Sequence, residues 1–256
     1  MKEIMSKDNA IFRHALGLRD KRGRDAAGEY LAEGERLVLD LFQYGFSADI
    51  RYILAEKRMY DRHSTAFSGV ETYCITDRLA EKLSDTENGQ GLFAVVKIPG
   101  SRPFSGDSAL FLDRVRDPGN LGTVIRTAAA MGFKDIALSG CADPYAPKVV
   151  RAAMGCVPKV NLVRAADLSE IRRAGYAVVC ADMNGTPLRR FGRPQKLCLV
   201  IGNEAGGISE GVKAQADAAV SIETEGVESL NASVAAAILM YELRTIREQK
   251  KQEEIE

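Results

Sequence analysis

The 256-residue chain has few of the residues on which many enzymes and metal sites depend. It contains only two histidines, His14 and His63, so a histidine-based triad or metal centre would have little to build with. Its five cysteines are odd in number and never arranged as CxxC, which argues against a disulfide framework and against a zinc site. We therefore expect a reducing, cytoplasmic location and chemistry that uses no metal.

Long apolar segments are also missing. No apolar run approaches the roughly 20 residues of a membrane-spanning helix, and the N-terminal residues lack the apolar core and cleavage site of a signal peptide. The hydrophobic fraction of 46% and the charged fraction of 27% are typical of a soluble globular protein. We expect no membrane association, and the length suffices for one large domain or two small ones.

The net charge is zero at neutral pH, which weakens any general case for nucleic-acid binding. One short segment departs from this balance. It holds five basic residues within twelve positions: Arg13, Arg19, Lys21, Arg22 and Arg24. This pattern is typical of a solvated helix face and loop, and it also fits an arm that contacts RNA phosphates.

A stretch rich in Pro, Gly and Ser divides the chain. It predicts a linker over residues 99–107, between a first domain at 1–98 and a second at 108–248, and a charged tail follows at 249–256. Hydrophobic patterns in the first domain predict a small α/β unit, with helices over 33–44 and 77–83 and strands over 50–54, 70–75 and 92–98.

The second domain alternates strand and helix patterns. Strands are predicted over 109–113, 135–138, 160–163, 176–181, 197–201 and 218–222. Helices are predicted over 121–131, 147–153 and 168–173, and a final helix begins at Ser229 or Asn231. Such alternation predicts a mostly parallel sheet covered on both faces.

Polar residues concentrate in two turns that lead from a strand to a helix. The turns are LVIGNEAGGIS, residues 199–209, and IETEGVESLNASVAAA, residues 222–237. Glycine, asparagine, glutamate and serine in such turns indicate a ligand site at the carboxyl edge of an α/β sheet, although ordinary loops use the same residues.

A third polar cluster lies in DPGNLGTVIR and contains Asn120, Gly122 and Arg126. Asn120 stands where a helix N-cap belongs, which would explain it fully, and an isolated Arg126 would usually be a surface residue. Neither GxxxxGK[ST] nor GxGxxG is present, so the sequence gives little support for a phosphate-binding loop or a dinucleotide-binding site.

In order, the stretches NLGTVIR, LVIGNEAGGIS and ESLNASVAAAI resemble the three motifs of the SpoU/TrmH family of RNA 2′-O-ribose methyltransferases, in the SPOUT superfamily. The first hundred residues, with EGERLVLDL and NGQGLFAVV, resemble the substrate-binding domain related to ribosomal protein L30e. Together these cover nearly the whole chain. The resemblance implies an α/β fold in which an L30e-like α/β domain precedes a parallel-sheet domain with a deep trefoil knot.

The resemblance also implies S-adenosylmethionine as cofactor. Its binding residues would be Ile201, Gly202, Asn203, Ile222, Gly226 and Leu230, with glycine at 202 suiting a close approach of the adenine. The catalytic residues would be Asn120, Arg126, Glu204, Ser229 and Asn231. The knotted domain dimerises in this family, which assigns that contact to Val234, Ile238 and Tyr241 on the final helix, unless they belong to the core.

Physical chemistry limits the roles within that set. Methyl transfer from a sulfonium needs aligned reactants and removal of the 2′-hydroxyl proton, but no metal. Because a guanidinium keeps its proton in proteins, we expect Arg126 to neutralise the RNA phosphate and the developing alkoxide. Glu204 or a water would then accept the proton.

One motif departs from the family. Where members commonly read Ile-Pro-Met, this chain has Ile222-Glu223-Thr224, and Glu225 and Glu228 add further negative charge. If these acids face the RNA, they would weaken phosphate binding.

The sequence therefore predicts an S-adenosylmethionine-dependent RNA ribose methyltransferase. By analogy, the L30e-like front domain favours ribosomal RNA over transfer RNA as the substrate. Two alternatives remain. One is a non-catalytic RNA-binding protein that keeps the fold, and the other is an α/β enzyme acting on a small molecule or nucleotide. Asn120, Arg126, Glu204 and Asn231 together argue against a pure binder, which has no need of all four.

Overall fold

The computed structural model describes residues 2–227 and 229–253, and for residues 249–253 it describes the backbone only. It divides into two compact units, one of Met1–Gly100 with Asp143–Pro158 and one of Ser101–Ala142 with Lys159–Glu256. The first five residues of the predicted tail continue the final helix, and its last three lie outside the described residues. Within the described ranges no helix is long and apolar enough to cross a membrane.

The strands and helices alternate along most of the chain. The strands are β1 Lys2–Ile4, β2 Glu29–Glu33, β3 Ile50–Glu56, β4 Thr72–Ile75, β5 Leu92–Lys97, β6 Ser108–Asp113, β7 Asp135–Ser139, β8 Asn161–Arg164, β9 Ala177–Pro187, β10 Leu197–Ile201 and β11 Ala218–Ser221. The helices are α1 Ala10–Gly17, α2 Lys21–Ala27, α3 Glu35–Gln43, α4 Lys57–His63, α5 Asp77–Leu83, α6 Pro118–Met131, α7 Pro147–Ala152, α8 Ser169–Arg173, α9 Glu210–Lys213 and α10 Ala232–Glu253.

The first unit is built on a five-stranded mixed sheet in the order β1-β4-β3-β5-β2. Strands β1, β4 and β3 run parallel, whereas β5 is antiparallel to both β3 and β2. Two of its helices, α1 and α5, begin at residues with a capping side chain: the Asn9 side chain accepts from the N–H of Ile11 at 2.9 Å, and the Thr76 hydroxyl accepts from that of Leu79 at 3.3 Å. Phe12, buried on α1, packs into the core of this unit.

Strand β2 has no counterpart among the predicted elements, because a glutamate at each end hides its apolar centre. Both carboxylates are buried with partners. Glu29 accepts from Arg51 Nε at 2.7 Å, and Glu33 accepts from the backbone N–H of Asp85 at 3.1 Å and from the Ser84 hydroxyl. The hydrogen bonds allow two charged residues to lie inside the first unit.

The basic segment at residues 13–24 lies mostly in helices α1 and α2 of the first unit, and Arg24 does not face solvent. Only 3% of Arg24 is exposed, and its guanidinium donates to Asp143 Oδ2 at 2.6 and 3.0 Å and to the carbonyls of Leu18 and Arg19 at 2.8 and 2.7 Å. The prediction that Arg24 contacts RNA is therefore wrong, because its donors are used inside the protein. The pair also explains why Asp143–Pro158 belongs to the first unit, whereas the sequence placed it in the second.

The other four basic residues of that segment lie nearer the surface. Arg19 donates to the Lys82 carbonyl at 3.0 Å and to Asp85 at 3.3 Å, and Lys21 pairs with Asp25 at 2.5 Å. Arg13 and Arg22 are exposed, and their side chains make no hydrogen bond or ion pair with any residue that the structure describes. They remain predicted RNA contacts.

The second unit is built on a six-stranded sheet in the order β11-β9-β10-β6-β7-β8, and all its described pairings are parallel. The predicted parallel sheet is confirmed. Strand β9 continues beyond its predicted end to Pro187 and lies close to β11: a Cβ on Gly185 would stand 2.6 Å from the main chain of Ala219 and Val220. Glycine is needed there for the two backbones to approach.

Candidate active site

Strand β6, an inner strand of the parallel sheet, ends in a buried aspartate that the sequence analysis did not identify. Asp113 closes β6, is 3% exposed and accepts from the N–H of Ser209 at 2.6 Å. Burial alone would raise the pKa of Asp113, but this N–H and the Arg114 guanidinium, 3.1 Å away, lower it below the usual value. Arg114 itself has a left-handed φ of 59°, uncommon outside glycine, and donates to the Gly207 carbonyl at 3.3 Å.

The turn after β10 is folded back on itself around Asn203. Its backbone N–H and carbonyl pair with Gly207 at 3.1 and 2.8 Å, and its side chain accepts from the N–H of Ala205 at 2.9 Å. The same amide donates to the Arg114 carbonyl at 2.9 Å. A Cβ on Gly202 would lie 2.3 Å from the carbonyl carbon of Gly207, so the chain itself requires glycine at 202.

The helix that carries the first motif begins earlier than the sequence predicted. Asp117 is its N-cap and accepts from the N–H of Asn120 at 2.8 Å, and Pro118 takes the first helical position. The interpretation of Asn120 as the N-cap is therefore wrong. Its side chain is instead available to donate to Glu204 Oε1 at 2.7 Å.

The third motif reaches the same place through the cap of the final helix. Asn231 Oδ1 accepts from the N–H and hydroxyl of Ser233 at 2.9 and 2.7 Å, as expected for a cap at this residue. Its amide nitrogen donates to Asn120 Oδ1 at 3.1 Å. Asn120, Glu204 and Asn231, from three separate motifs, thus form one hydrogen-bonded group, the polar cluster.

Two predicted catalytic residues do not join the polar cluster. Arg126 is exposed on α6, and six residues of α-helix separate it from Asn120 by about 9 Å of rise and about 240° of rotation. Ser229 is exposed just before α10. Neither side chain makes a hydrogen bond or ion pair with the residues at 2–227 and 229–253.

The turn after β11 offers a different surface. Ile222 and Leu230 are half-buried, and Gly226 has a φ of +73°, which favours glycine. The Thr224 hydroxyl donates to the Val227 carbonyl at 3.0 Å. Two partly accessible apolar side chains beside loop backbone groups suit a flat, weakly polar ring such as adenine, which apolar contacts and main-chain hydrogen bonds can hold.

Glu223, one of the residues at which this chain departs from the family motif, pairs with a nearby arginine. Arg189, which follows β9, donates from Nε to Glu223 Oε2 at 2.8 Å. The negative charge of Glu223 is thereby opposed within the chain. Glu225 is exposed, and Glu228 lies outside the described residues.

Residues 107–241 of the chain match the SpoU rRNA Methylase family, and residues 9–94 match the MRM3-like substrate binding domain. The first match spans more than half of the chain and includes the polar cluster, Arg126 and the turns after β10 and β11. The two matches lie in the same order as the resemblance inferred from the motifs.

Individual proteins are similar over almost the full length. The 23S rRNA (guanosine(2553)-2′-O)-methyltransferase RlmP of Bacillus subtilis is 31% identical over 250 residues, covering 95% of this chain and 100% of that protein. The crystal structure of an AdoMet-bound rRNA methyltransferase from Sinorhizobium meliloti aligns with a TM-score of 0.82 at 29% identity, covering 95% of this chain and 97% of that one. The SpoU methyltransferase AviRb from Streptomyces viridochromogenes, in complex with AdoMet, aligns with a TM-score of 0.80 at 28% identity, covering 94% of this chain and 98% of that one.

Proposed function

Because the chain belongs to the SpoU rRNA methylase family, we propose that it transfers a methyl group from S-adenosylmethionine to a ribose 2′-hydroxyl of ribosomal RNA. The observation that carries this proposal is the polar cluster, which joins the family's three motifs at one edge of the sheet. The full-length similarity to rRNA 2′-O-methyltransferases makes ribosomal RNA the favoured substrate class over transfer RNA.

The cofactor site lies at the turns after β10 and β11. When bound, S-adenosylmethionine supplies a methyl group carried on a sulfonium. Ile222 and Leu230 would provide apolar contacts, and the backbone of residues 201–203 and 222–226 would provide hydrogen bonds. Gly202 contributes indirectly, because it permits the fold of the turn rather than only the approach of a ligand.

Glu204 is the residue placed to accept the ribose proton. Its Oε1 is held by the Asn120 amide, and its Oε2 makes no hydrogen bond with any described residue. The carboxylate is exposed, so the RNA hydroxyl can reach that oxygen. Asn231 fixes the Asn120 amide in turn and so limits the orientations that Glu204 can adopt.

Arg126 acts through charge. A guanidinium cannot serve as a base, and this one is exposed with no partner among residues 2–227 and 229–253. It is free to pair with the RNA phosphate next to the target ribose, and that pair would hold the ribose for proton removal by Glu204. Its position on α6, away from the polar cluster, does not support the predicted contact with the alkoxide. Ser229, also exposed, would contact the RNA backbone.

Finer features of the assignment are also proposed. The first unit would be an L30e-like RNA-binding domain, which its match over residues 9–94 supports. The second would be tied in a trefoil knot, for which the close approach of β9 and β11 is the supporting contact. A crystal structure whose C-terminal segment passes through no loop would contradict the knot.

The final helix would form a homodimer contact. Val234, Ile238 and Tyr241 lie along one stripe of α10 and are 47%, 37% and 58% exposed, which rules out the core as their place in the single chain. Light scattering that returned the mass of one chain would contradict this contact. A cytoplasmic location is proposed on the five free cysteines.

The test begins with calorimetric titration of S-adenosylmethionine and transfer of its labelled methyl group to bulk ribosomal RNA. Alkaline hydrolysis then locates the product, because a 2′-O-methyl group blocks cleavage at the next phosphodiester. Glu204→Gln keeps the size of the side chain and an acceptor for Asn120, but it removes the proton acceptor. We expect kcat to fall about 100-fold with little change in cofactor affinity.

Arg126→Lys serves as the second variant. Lysine retains the positive charge but not the planar fork, so turnover should fall while RNA affinity changes little. Nearly full turnover would contradict the role given to Arg126. Cofactor binding without methyl transfer to any RNA would favour a binding protein that keeps the fold, and transfer to tRNA alone would correct the substrate class.

A further inference from the structure

The first unit contains a cleft of about 630 Å³ between two neighbouring loops. One wall is the segment after β1 and the other is the start of α5, which follows β4. Strands β1 and β4 are parallel neighbours, with Ile4 opposite Ile75, so both loops leave the sheet at the same edge. The cleft therefore follows from the strand order.

Three basic side chains line this cleft: Lys7, Arg78 and Lys82. All three are exposed, and none makes a hydrogen bond or ion pair with another residue in the described part of the chain. Arg78 and Lys82 are four residues apart on α5 and so project from one face of the helix. Nearby Arg19, Lys21 and Arg24 differ, because each is paired inside the chain.

The cleft is not uniformly basic. Asp8 and Glu81 also line it, so three cations face two carboxylates. The N–H of Asp8 donates to the Ser6 hydroxyl at 3.1 Å, which orders the loop, and Met5 beside it is 72% exposed. Mixed charge with an exposed apolar side chain matches an unpaired nucleotide, which offers phosphates to cations, hydroxyl or amino groups to carboxylates, and a base face to an apolar group.

We propose that this cleft binds an unpaired segment of the RNA substrate, with Lys7, Arg78 and Lys82 on its phosphates. The inference rests on the proposed function, and it assigns the main RNA contact of the first unit to the cleft rather than to the basic run at residues 13–24. Only Arg13 and Arg22 of that run are exposed without partners in the described chain.

The test compares Arg78→Ala/Lys82→Ala with Lys97→Ala/Lys148→Ala in the full chain. The control removes two exposed lysines of the first unit that have no ion pair with the described residues and lie outside the cleft lining. Affinity for bulk ribosomal RNA is measured by filter binding over a series of salt concentrations. Two lost phosphate contacts should reduce the slope of log K against log salt by about 1.4, and a paired RNA duplex should compete less well than unpaired RNA.

Further measurements separate the possible failures. Arg78→Lys/Lys82→Arg keeps both charges and should keep the slope, and thermal unfolding followed by circular dichroism reports whether each variant is folded. A cleft variant equal to the control, alongside an active wild type, would overturn the cleft alone. A wild type that neither binds nor methylates ribosomal RNA would overturn the proposed function together with this inference. A loss confined to Arg13→Ala/Arg22→Ala would move the contact to the basic run.

Discussion

The turns after β10 and β11 flank the same candidate site, but the chain holds them differently. The first is tied to the neighbouring strand β6 by Asp113 and Arg114, and Asn203 closes it internally. The second is held by the exposed Arg189–Glu223 pair and by a hydroxyl bond of Thr224. The first turn is therefore part of the fold, whereas the second has a geometry that a ligand can still influence.

Because of this difference, we expect the two turns to have separate roles. A turn fixed by the interior of the protein can hold Glu204 in a constant place for proton removal. A turn with surface contacts can close on a cofactor and open to release the product. The polar cluster is the described link between them, since Asn120 contacts Glu204 on one side and Asn231 on the other.

The largest effect is expected from Gly202→Ala. Its Cβ would lie 2.3 Å from the main chain at Gly207, and backbone cannot move aside as a flexible side chain can. We expect a loss of about 3 kcal/mol or more in unfolding free energy, together with loss of cofactor binding. Denaturant unfolding and calorimetric titration measure the two.

Gly206→Ala is the matched control, because nothing lies within 4 Å of a Cβ there. It should unfold close to the wild type. If Gly202→Ala were as stable as this control and lost only cofactor affinity, glycine at 202 would serve the ligand, and the first turn would be less firmly fixed than the contacts indicate.

The second-largest effect is expected from Asp113→Asn, because the Asp113 carboxylate holds the first turn. Asp113→Asn replaces a charged acceptor of the Ser209 N–H by a neutral one and should cost about 1–3 kcal/mol at neutral pH. The pKa of Asp113 is lowered in the folded protein, so its stabilisation is complete above the ordinary value of 3.8 and disappears as the pH falls through the folded-state value.

The variant and the wild type should therefore converge in stability in acid and differ most above about pH 5. Asp167→Asn provides the comparison, since Asp167 is exposed and accepts from the N–H of the nearby Ser169 at 2.8 Å. Its effect should be smaller. An Asp113→Asn protein as stable as the wild type at pH 7 would show that β6 does not anchor the turn.

Much of the second sheet follows from the sequence, because buried parallel strands read as short apolar runs separated by helical patterns. The early start of α6 could also have been predicted from the sequence. Asp117 followed by Pro118 is the pattern of an N-cap and first helical residue, whereas we predicted a helix that starts at residue 121. Recognising it would have shown that Asn120 is not a cap.

Other features could not be obtained from local patterns. Asn120 and Glu204 are 84 positions apart, and only the strand order brings them together. A buried arginine such as Arg24 is rare, and its partner Asp143 lies 119 positions away, so a basic run at the surface was the reasonable expectation. Strand β2 was missed because its buried glutamates depend on partners that lie 22 to 52 positions away.

The smallest effect is expected at the second turn. Arg189 and Glu223 side chains are 83% and 53% exposed, so water and salt screen their attraction. Arg189→Ala and Glu223→Gln should each change cofactor affinity by no more than about fivefold, and by less at high salt. Exchanging the charges, Arg189→Glu with Glu223→Arg, should restore affinity if the pair itself matters. A 100-fold loss in either single variant, recovered by the exchange, would mean that the ion pair fixes this turn as firmly as Asp113 fixes the other, and the contrast between the two turns would then fail.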